Sequence, residues 1–244
     1  MQLAPPLTPL DGLDAALEAE GYAVLDACGT GALAGVRPGS FDALASAWEA
    51  LPPDPHLRDG GRYRARRHAS LVVDAREGAA EVVPHRAHFQ PVEYNALHGG
   101  LERWFDPVDP AWLEAAPFRG LLAALATRLG RRTGVPRWFV EVHQFRIDTR
   151  DGIGRPTPEG AHRDGVDFVA VALVQRRDVR GGETRVFDAR GPRGVRFTMS
   201  EPWSLLVLDD ARVIHETTPI QPERAGGVRD TLVVTLRRGG FQAL

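Results

Sequence analysis

The sequence of 244 residues contains no lysine, because all 30 of its basic residues are arginine. This absence excludes every mechanism that needs a lysine amine, such as a Schiff base with pyridoxal phosphate or the phosphate-binding lysine of a P-loop. Cysteine is almost absent as well, and Cys28 alone allows neither an intrachain disulfide nor a zinc site built from thiolates. We expect Cys28 to be a small buried residue, as free cysteines usually are.

Long hydrophobic runs and a strong charge of one sign are also missing. No apolar stretch approaches the roughly 20 residues that span a bilayer, and the first residues lack the basic and apolar regions of a signal peptide. The formal net charge of −2 gives no reason to expect binding to nucleic acid or to an anionic membrane. The expected location is the reducing cytoplasm, and the composition leaves the oligomeric state open.

Two kinds of periodicity divide the chain. In the first half, a short strand is predicted over 22–27, and helical spacing with turn residues predicts helices over 11–20, 40–51 and 111–131. Later, short apolar runs between turns predict strands over 138–147, 166–175, 183–188, 195–198, 203–208, 212–215 and 231–237. Many short strands favour a jelly roll or barrel. We therefore expect one mainly β domain over 1–244, helix-rich to about 135 and with its jelly-roll core over about 136–244.

A group of histidines and one aspartate in the β-rich half is the most informative pattern. His162 and Asp164 are two residues apart, so on an extended segment both side chains point to one face. His215 follows at the end of an apolar run. Two imidazoles and one carboxylate leave three adjacent positions of an octahedral Fe(II) ion open, which is the facial triad of non-haem iron oxygenases. Taken singly, the triplet also suits a surface loop, and a lone strand histidine is more often a core residue.

An arginine and a threonine near the last predicted strand extend this pattern. Arg229 and Thr231 share one strand face, so a guanidinium and a hydroxyl can hold one carboxylate together. Arginine suits this task because its planar fork binds carboxylates through two hydrogen bonds. The pair predicts a site for the far carboxylate of a 2-oxoglutarate cosubstrate, although Arg229 taken alone is also consistent with a surface residue at a strand end.

The blocks that contain these residues resemble a known family. They are similar to the bacterial 2-oxoglutarate/Fe(II) dioxygenases typified by L-isoleucine 4-hydroxylase in HRDGVDFV (162–169), GGET (181–184), LDDARVIH (208–215) and RDTLVVT (229–235). Weaker similarity occurs in RYR (62–64), FQxxxYN (89–95) and HQFR (143–146). The resemblance covers most of the chain from about residue 60 onward.

This resemblance implies a double-stranded β-helix, a cupin-like jelly roll, whose mouth holds Fe(II) through His162, Asp164 and His215. It also implies that Arg229 pairs with the distal carboxylate of 2-oxoglutarate and that Thr231 takes the hydroxyl position beside it. Enzymes similar to this one use dioxygen to hydroxylate free aliphatic L-amino acids at an unactivated carbon, with succinate and carbon dioxide as coproducts. The expected protein is therefore a hydroxylase of this kind, acting on a small molecule.

A free amino acid needs a cation for its carboxylate and an acceptor for its ammonium group. The candidates are Arg62, Arg64, Arg66 and Arg146 for the carboxylate, Asp167 and Glu183 for the ammonium, and Phe89 and Tyr94 as walls. A solvated edge strand over 58–67 and a hairpin role for Glu183 are the structural alternatives. The Gly- and Pro-rich run 148–159 is either a lid that sets substrate choice or a plain loop. The remaining histidines, including His85, His88 and His143, are expected to be structural or exposed.

Two alternative functions stay open. The same iron chemistry is compatible with a carrier-tethered amino acid or a natural-product intermediate as substrate. The fold is also compatible with a cupin-like binding module that has lost catalysis.

Overall fold

The computed structural model describes residues 3–37 and 39–244. Within these ranges the chain forms four α-helices, which are α1 (Leu13–Glu20), α2 (Ala27–Ala34), α3 (Pro110–Leu113) and α4 (Ala116–Thr133). Strands β1 to β6 are Tyr22–Leu25, Arg64–Asp74, Ala80–Val82, Arg137–Asp148, Phe168–Arg177 and Val179–Gly181. Strands β7 to β12 are Thr184–Asp188, Gly194–Phe197, Leu205–Asp209, Val213–Thr217, Ile220–Pro222 and Val228–Arg237.

Antiparallel pairing places seven of these strands in one large sheet, in the order β1-β9-β5-β12-β4-β2-β3. A three-stranded sheet, β10-β7-β8, packs against it, because Val186, Phe197 and Val213 share a buried cluster with Val169 and Leu208 of the large sheet. A two-stranded ribbon joins β11 and β6. Two antiparallel sheets packed face to face form a jelly roll, so the predicted mainly β fold is confirmed.

The helices cover the other face of the large sheet. Helix α4 has Pro117 in its first turn, where a missing N–H costs nothing, and ends at Gly134, whose φ of 71° suits a residue without a side chain. Four leucines of this helix are buried against the sheet: Leu121, Leu122, Leu125 and Leu129. The large sheet is thus sealed on one side by helices, and its other side faces the small sheet. In the described ranges no helix is long and apolar enough to cross a membrane.

One predicted helix takes a different form. The segment predicted as a helix over 40–51 is a 3₁₀ helix, Asp42–Ala50. The residue before this helix is Phe41, whose side chain makes no capping hydrogen bond. Trp48 in this segment is fully buried, and its indole N–H donates to backbone carbonyls of β4 and β12. The segment therefore fastens the outer face of the sheet rather than forming a regular helix.

Three smaller expectations were also wrong. The helix predicted over 111–131 is divided into α3 and α4, because Ala115 between them is extended. The strand predicted over 22–27 ends at Leu25, because Asp26 accepts a hydrogen bond from the amide of Gly29 (2.6 Å) and so caps helix α2. Cys28 lies on this helix and is exposed, not buried.

The crossing of α2 and α4 generates a stability prediction. Gly120 of α4 lies against α2, and a methyl group on it would collide with the carbonyl oxygen of Ala34. We expect Gly120→Ala to lower the free energy of unfolding by about 1–3 kcal/mol, because overpacking outweighs the better helix propensity of alanine. Gly12→Ala is the matched control, since its methyl group would meet ordinary contacts at 3.5 and 3.9 Å. Equal urea midpoints for the two variants would contradict the close packing.

Candidate active site

The register of three neighbouring strands creates the main wall of a cavity on the inner side of the large sheet. Residues paired across strands point to the same face, and every second residue along a strand shares it. The successive rows across β2, β4 and β12 are Arg64–Ile147–Arg229, Arg66–Phe145–Thr231, His68–His143–Val233 and Ser70–Glu141–Thr235. Ten of these twelve residues line the cavity, with His68 and Ser70 behind the lining.

Two histidines and one aspartate meet at the mouth of this cavity. His162 and His215 are joined by an antiparallel bridge, with backbone N–H···O distances of 3.0 and 2.9 Å. The Nε2 atom of His162 lies 3.8 Å from Oδ1 of Asp164, and Nε2 of His215 lies 3.6 Å from Oδ2 of the same carboxylate. One ligand atom of each residue lies within 4.8 Å of the others, so the three side chains can converge on a single ion.

Hydrogen bonds orient two of these three side chains. The Nδ1 atom of His162 lies 2.9 Å from the carbonyl oxygen of Gly160 and donates to it, which leaves Nε2 as the ring nitrogen that can bind a metal. Oδ1 of Asp164 accepts a hydrogen bond of 2.9 Å from the side-chain amide of Gln90. The carboxylate of Asp210 accepts the backbone amides of residues 164–166 and so fixes the turn that carries the aspartate.

The electrostatics of the cluster favour a cation at its centre. Burial and the neighbouring His162 lower the pKa of His215 to about 4, so this imidazole is neutral at neutral pH. Burial alone would lower the pKa of His162, but the carboxylates of Asp164 and Glu159 outweigh it and raise that pKa. Two imidazoles with one carboxylate form the ligand set of non-haem Fe(II), and the three residues therefore fit this metal.

Arg229 lies deeper in the same cavity. It is 4% exposed, no carboxylate in the described part of the chain forms an ion pair with it, and its Nε–H has no acceptor. Burial and the nearby Arg176 lower its pKa to about 10, which leaves the side chain charged at neutral pH. Thr231 lines the cavity beside it, whereas Asp230 between them binds Arg146 on the opposite face. A buried cation without a partner is costly, so this position fits the carboxylate of a ligand such as 2-oxoglutarate.

The candidate substrate residues fall into two groups. Arg64 and Arg66 line the cavity and are buried, so a solvated edge strand over 58–67 was the wrong alternative for them. Phe89 is buried without lining the cavity, and Tyr94 lines a neighbouring surface depression. The other four form ion pairs outside it, namely Arg62 with Asp151, Arg146 with Asp230 and Glu49, Asp167 with Arg238, and Glu183 with Arg185. Arg146 is excluded from the cavity by strand alternation, since Phe145 and Ile147 point inward.

A buried cluster of histidines was not predicted. Glu141 lies 3.2 Å from Nε2 of His68 and 3.1 Å from Nδ1 of His88, and Nδ1 of His143 accepts a hydrogen bond of 2.7 Å from Arg66. Burial lowers the pKa of all three imidazoles, so they are neutral donors and acceptors. Their ligand atoms also lie within 4.8 Å of one another. We interpret the cluster as a hydrogen-bonded support rather than a second metal site. Arg66 donates to His143 and Arg86 donates to Glu141, and these two guanidinium groups would repel an added cation.

Three arginines form a second positive region of the cavity, here called the arginine pole: Arg64, Arg66 and Arg103. Arg64 donates to Asp54 (2.6 Å), and Arg103 donates to the side-chain oxygen of Gln90 (2.9 Å). Each arginine of the pole keeps one buried N–H nitrogen without an acceptor. Burial and the charge of Arg64 lower the pKa of Arg103 to about 10. The neighbouring histidines are neutral, so the pole carries more positive charge than its buried carboxylates balance.

Comparison with known proteins places the chain in a family. A family model described as 2OG-Fe dioxygenase matches residues 45–235. The crystal structure of a BsmA homologue from Methylobium petroleophilum is 49% identical and has a TM-score of 0.93, with 98% of this chain and 97% of that chain covered. The structure of IDO from Bacillus thuringiensis shares the fold at 16% identity and a TM-score of 0.74, with 100% and 99% covered.

A further structure, of the Fe(II)/α-ketoglutarate-dependent dioxygenase TqaL, shares the fold at 19% identity and a TM-score of 0.70, with 94% of this chain and 86% of that chain covered. The comparison with curated proteins finds no match. The family match spans the candidate metal ligands and the buried Arg229. The chain therefore belongs to the 2OG-Fe dioxygenase family and is an Fe(II)- and 2-oxoglutarate-dependent dioxygenase.

Proposed function

We propose that this dioxygenase hydroxylates a free L-amino acid at an unactivated carbon. The observation that carries the proposal is that one cavity contains the three-ligand cluster and two separate sets of buried arginines whose side chains keep N–H groups without an acceptor. In this proposal His162, Asp164 and His215 hold Fe(II), and Arg229 with Thr231 holds 2-oxoglutarate. When bound, the iron and the cosubstrate couple oxidative decarboxylation by dioxygen, which gives succinate and carbon dioxide, to hydroxylation of a C–H bond.

The residues of the chain supply position and charge for this reaction. The neutral imidazole of His215 needs no proton loss before it binds a metal, and Gln90 holds the carboxylate of Asp164 in its orientation. Arg229 offers its N–H groups from a site already removed from water, so a carboxylate that reaches it gains a strong charge-assisted contact. These groups are fixed before a ligand arrives, which lowers the cost of organising the reactants.

The arginine pole supports a carboxylate as part of the substrate. Arg64 and Arg229 lie in one row on either side of Ile147, so two strand spacings, about 10 Å, separate their backbones. One small dicarboxylate bound at the metal and Arg229 leaves the free N–H groups of the arginine pole without an acceptor. A substrate with a free carboxylate would supply it, whereas a thioester-bound amino acid would not.

One part of the cavity wall is apolar. Phe145, Val169, Val171 and Val233 line the cavity there and offer no hydrogen-bonding side chains. An aliphatic chain is the complementary ligand for such a surface. The combination of a free carboxylate and an aliphatic chain supports an aliphatic amino acid as substrate.

The metal ligands give a first prediction. His162→Ala and Asp164→Ala are expected to abolish turnover and to weaken Fe(II) binding, because each removes one of only three protein ligands. The unfolding temperature without metal should change little, since neither side chain is part of the hydrophobic core. Anaerobic Fe(II) titration and succinate release measure the two effects, with the exposed carboxylate variant Asp151→Ala as control. Retained activity in either ligand variant would refute the assignment.

The cosubstrate site gives a second prediction. Arg229→Gln should weaken 2-oxoglutarate binding by roughly 10- to 100-fold, because a charged hydrogen-bond pair contributes about 1.5–3 kcal/mol. Arg62→Gln is the matched control, since that side chain is 82% exposed and lies outside the cavity. Calorimetry of the metal-loaded protein under anaerobic conditions provides the two dissociation constants. Unchanged affinity in Arg229→Gln would refute the assignment of this arginine to the cosubstrate.

The substrate class gives a third prediction. Purified protein with Fe(II), ascorbate and 2-oxoglutarate should release succinate and add one oxygen atom to at least one member of a panel of free L-amino acids, as measured by mass spectrometry. The amide and the thioester of the same amino acid should react poorly, because neither presents a carboxylate to the arginine pole. Faster turnover of the thioester would instead support a carrier-tethered substrate.

A further inference from the structure

Glu159 is an acidic residue of the cavity wall that no sequence motif singled out. Its side chain is only 10% exposed, and its Oε2 oxygen is buried without a donor. Its Oε1 oxygen lies 3.6 Å from Nε2 of His162, which is longer than a hydrogen bond. A buried carboxylate oxygen without a donor is unfavourable, so a ligand that supplies an N–H or O–H group would be bound strongly here.

The backbone around Glu159 is held in place by the strands next to it. The hydroxyl of Thr157 donates to the carbonyl of Thr217 (3.0 Å) and accepts its amide (3.1 Å). Gly154 and Ile220 are joined by two reciprocal hydrogen bonds between their backbone groups. The Gly- and Pro-rich run 148–159 is therefore fastened to β10 and β11, and the carboxylate of Glu159 has a defined position in the wall.

Glu159 and the arginine pole are complementary charges in one cavity. Both line it, and the charge of Glu159 is among those that favour the protonated form of Arg103 against the larger effects of burial and Arg64. No ion pair joins Glu159 to an arginine of the pole in the described structure, since the partner within 4.0 Å is His162. The two charges therefore leave room for a ligand that contacts both.

We infer that Glu159 accepts the ammonium group of the substrate while the arginine pole binds its carboxylate. This inference rests on the proposed function, since it assumes a free acid as substrate. An α-amino acid carries both groups on one carbon, and its aliphatic side chain would lie along the valine wall formed by Val169, Val171 and Val233. The pair of charges thus selects α-amino acids over carboxylic acids of the same shape that lack the amino group. Asp167 and Glu183 are outside the cavity and do not compete for this role.

The test compares amino acids with their desamino counterparts. The probes are L-valine, L-leucine and L-isoleucine, paired with 3-methylbutanoate, 4-methylpentanoate and 3-methylpentanoate. Binding is measured by calorimetry on anaerobic protein loaded with Fe(II) and 2-oxoglutarate, for wild type, for Glu159→Gln and for the control Glu183→Gln. Glutamine keeps the size of the side chain and removes its charge, and Glu159→Asp tests whether a shorter carboxylate restores the preference.

We expect Glu159→Gln to weaken binding of the best amino acid by roughly 10- to 100-fold and to leave binding of its desamino counterpart unchanged. Glu183→Gln should behave as wild type, and Glu159→Asp should regain part of the preference. Equal losses for both ligand classes, or no loss for the amino acid, would overturn the inference. A loss of Fe(II) affinity in Glu159→Gln comparable with that in His162→Ala would overturn it too, because Glu159 would then be a metal ligand. If wild type binds none of the three amino acids, it is the proposed aliphatic substrate that fails.

Discussion

Arg66 shows how the protein keeps a positive charge away from water. Its guanidinium lies 3.7 Å from the ring centre of Phe105 and 4.4 Å from that of Phe145, and it donates to the neutral ring of His143. The nearest carboxylate, on Asp54, is 4.0 Å away and is shared with Arg64. Contacts with aromatic faces and a neutral imidazole replace only part of the hydration free energy that a charged group loses on burial. The remaining attraction for an anion is available to a ligand, and the same reasoning applies to Arg229, which lies two strands away on β12.

The alternation of strand residues allows one sheet to carry this charged cavity and a stable core at once. In β4, Val140 and Val142 belong to the hydrophobic core under the helices, while Glu141 and His143 between them line the cavity. In β12 the inward Arg229 and Thr231 flank an outward aspartate that binds Arg146. The hydrophobic stabilisation of the helix-covered face therefore offsets the cost of polar groups on the other face. A shift of register by one residue would exchange the two faces and abolish both.

The parts of this arrangement that follow local patterns were predictable from the sequence, and the parts that depend on tertiary contacts were not. The jelly roll and most of its strands follow from alternation and turn residues, and His162, Asp164 and His215 were predicted as metal ligands from spacing and from resemblance to a family. Strand β2 was treated as a possible edge because its arginines suggest solvent, and only the bridges to segments near Pro53 and Pro107 show why they are buried. Glu159 and Arg103 lie in irregular segments, where no periodicity indicates which way a side chain points. Arg146 and Arg64 look alike in sequence, and only the register of β2 against β4, which pairs Arg64 with the inward Ile147, separates them.

The backbone bridge between His162 and His215 has a consequence for the behaviour of the protein without its metal. Two segments 53 positions apart in the chain are already paired by reciprocal amide–carbonyl contacts, so loop closure is achieved by folding and not by coordination. Removal of the iron by a chelator should then leave the site folded. Rebinding should be limited by entry of the ion, with no refolding step. By linkage, occupancy would still raise the melting temperature, since the ion binds the native state in preference to the unfolded chain. Without iron the protein would therefore be inactive but folded, and it would regain activity as soon as iron binds again.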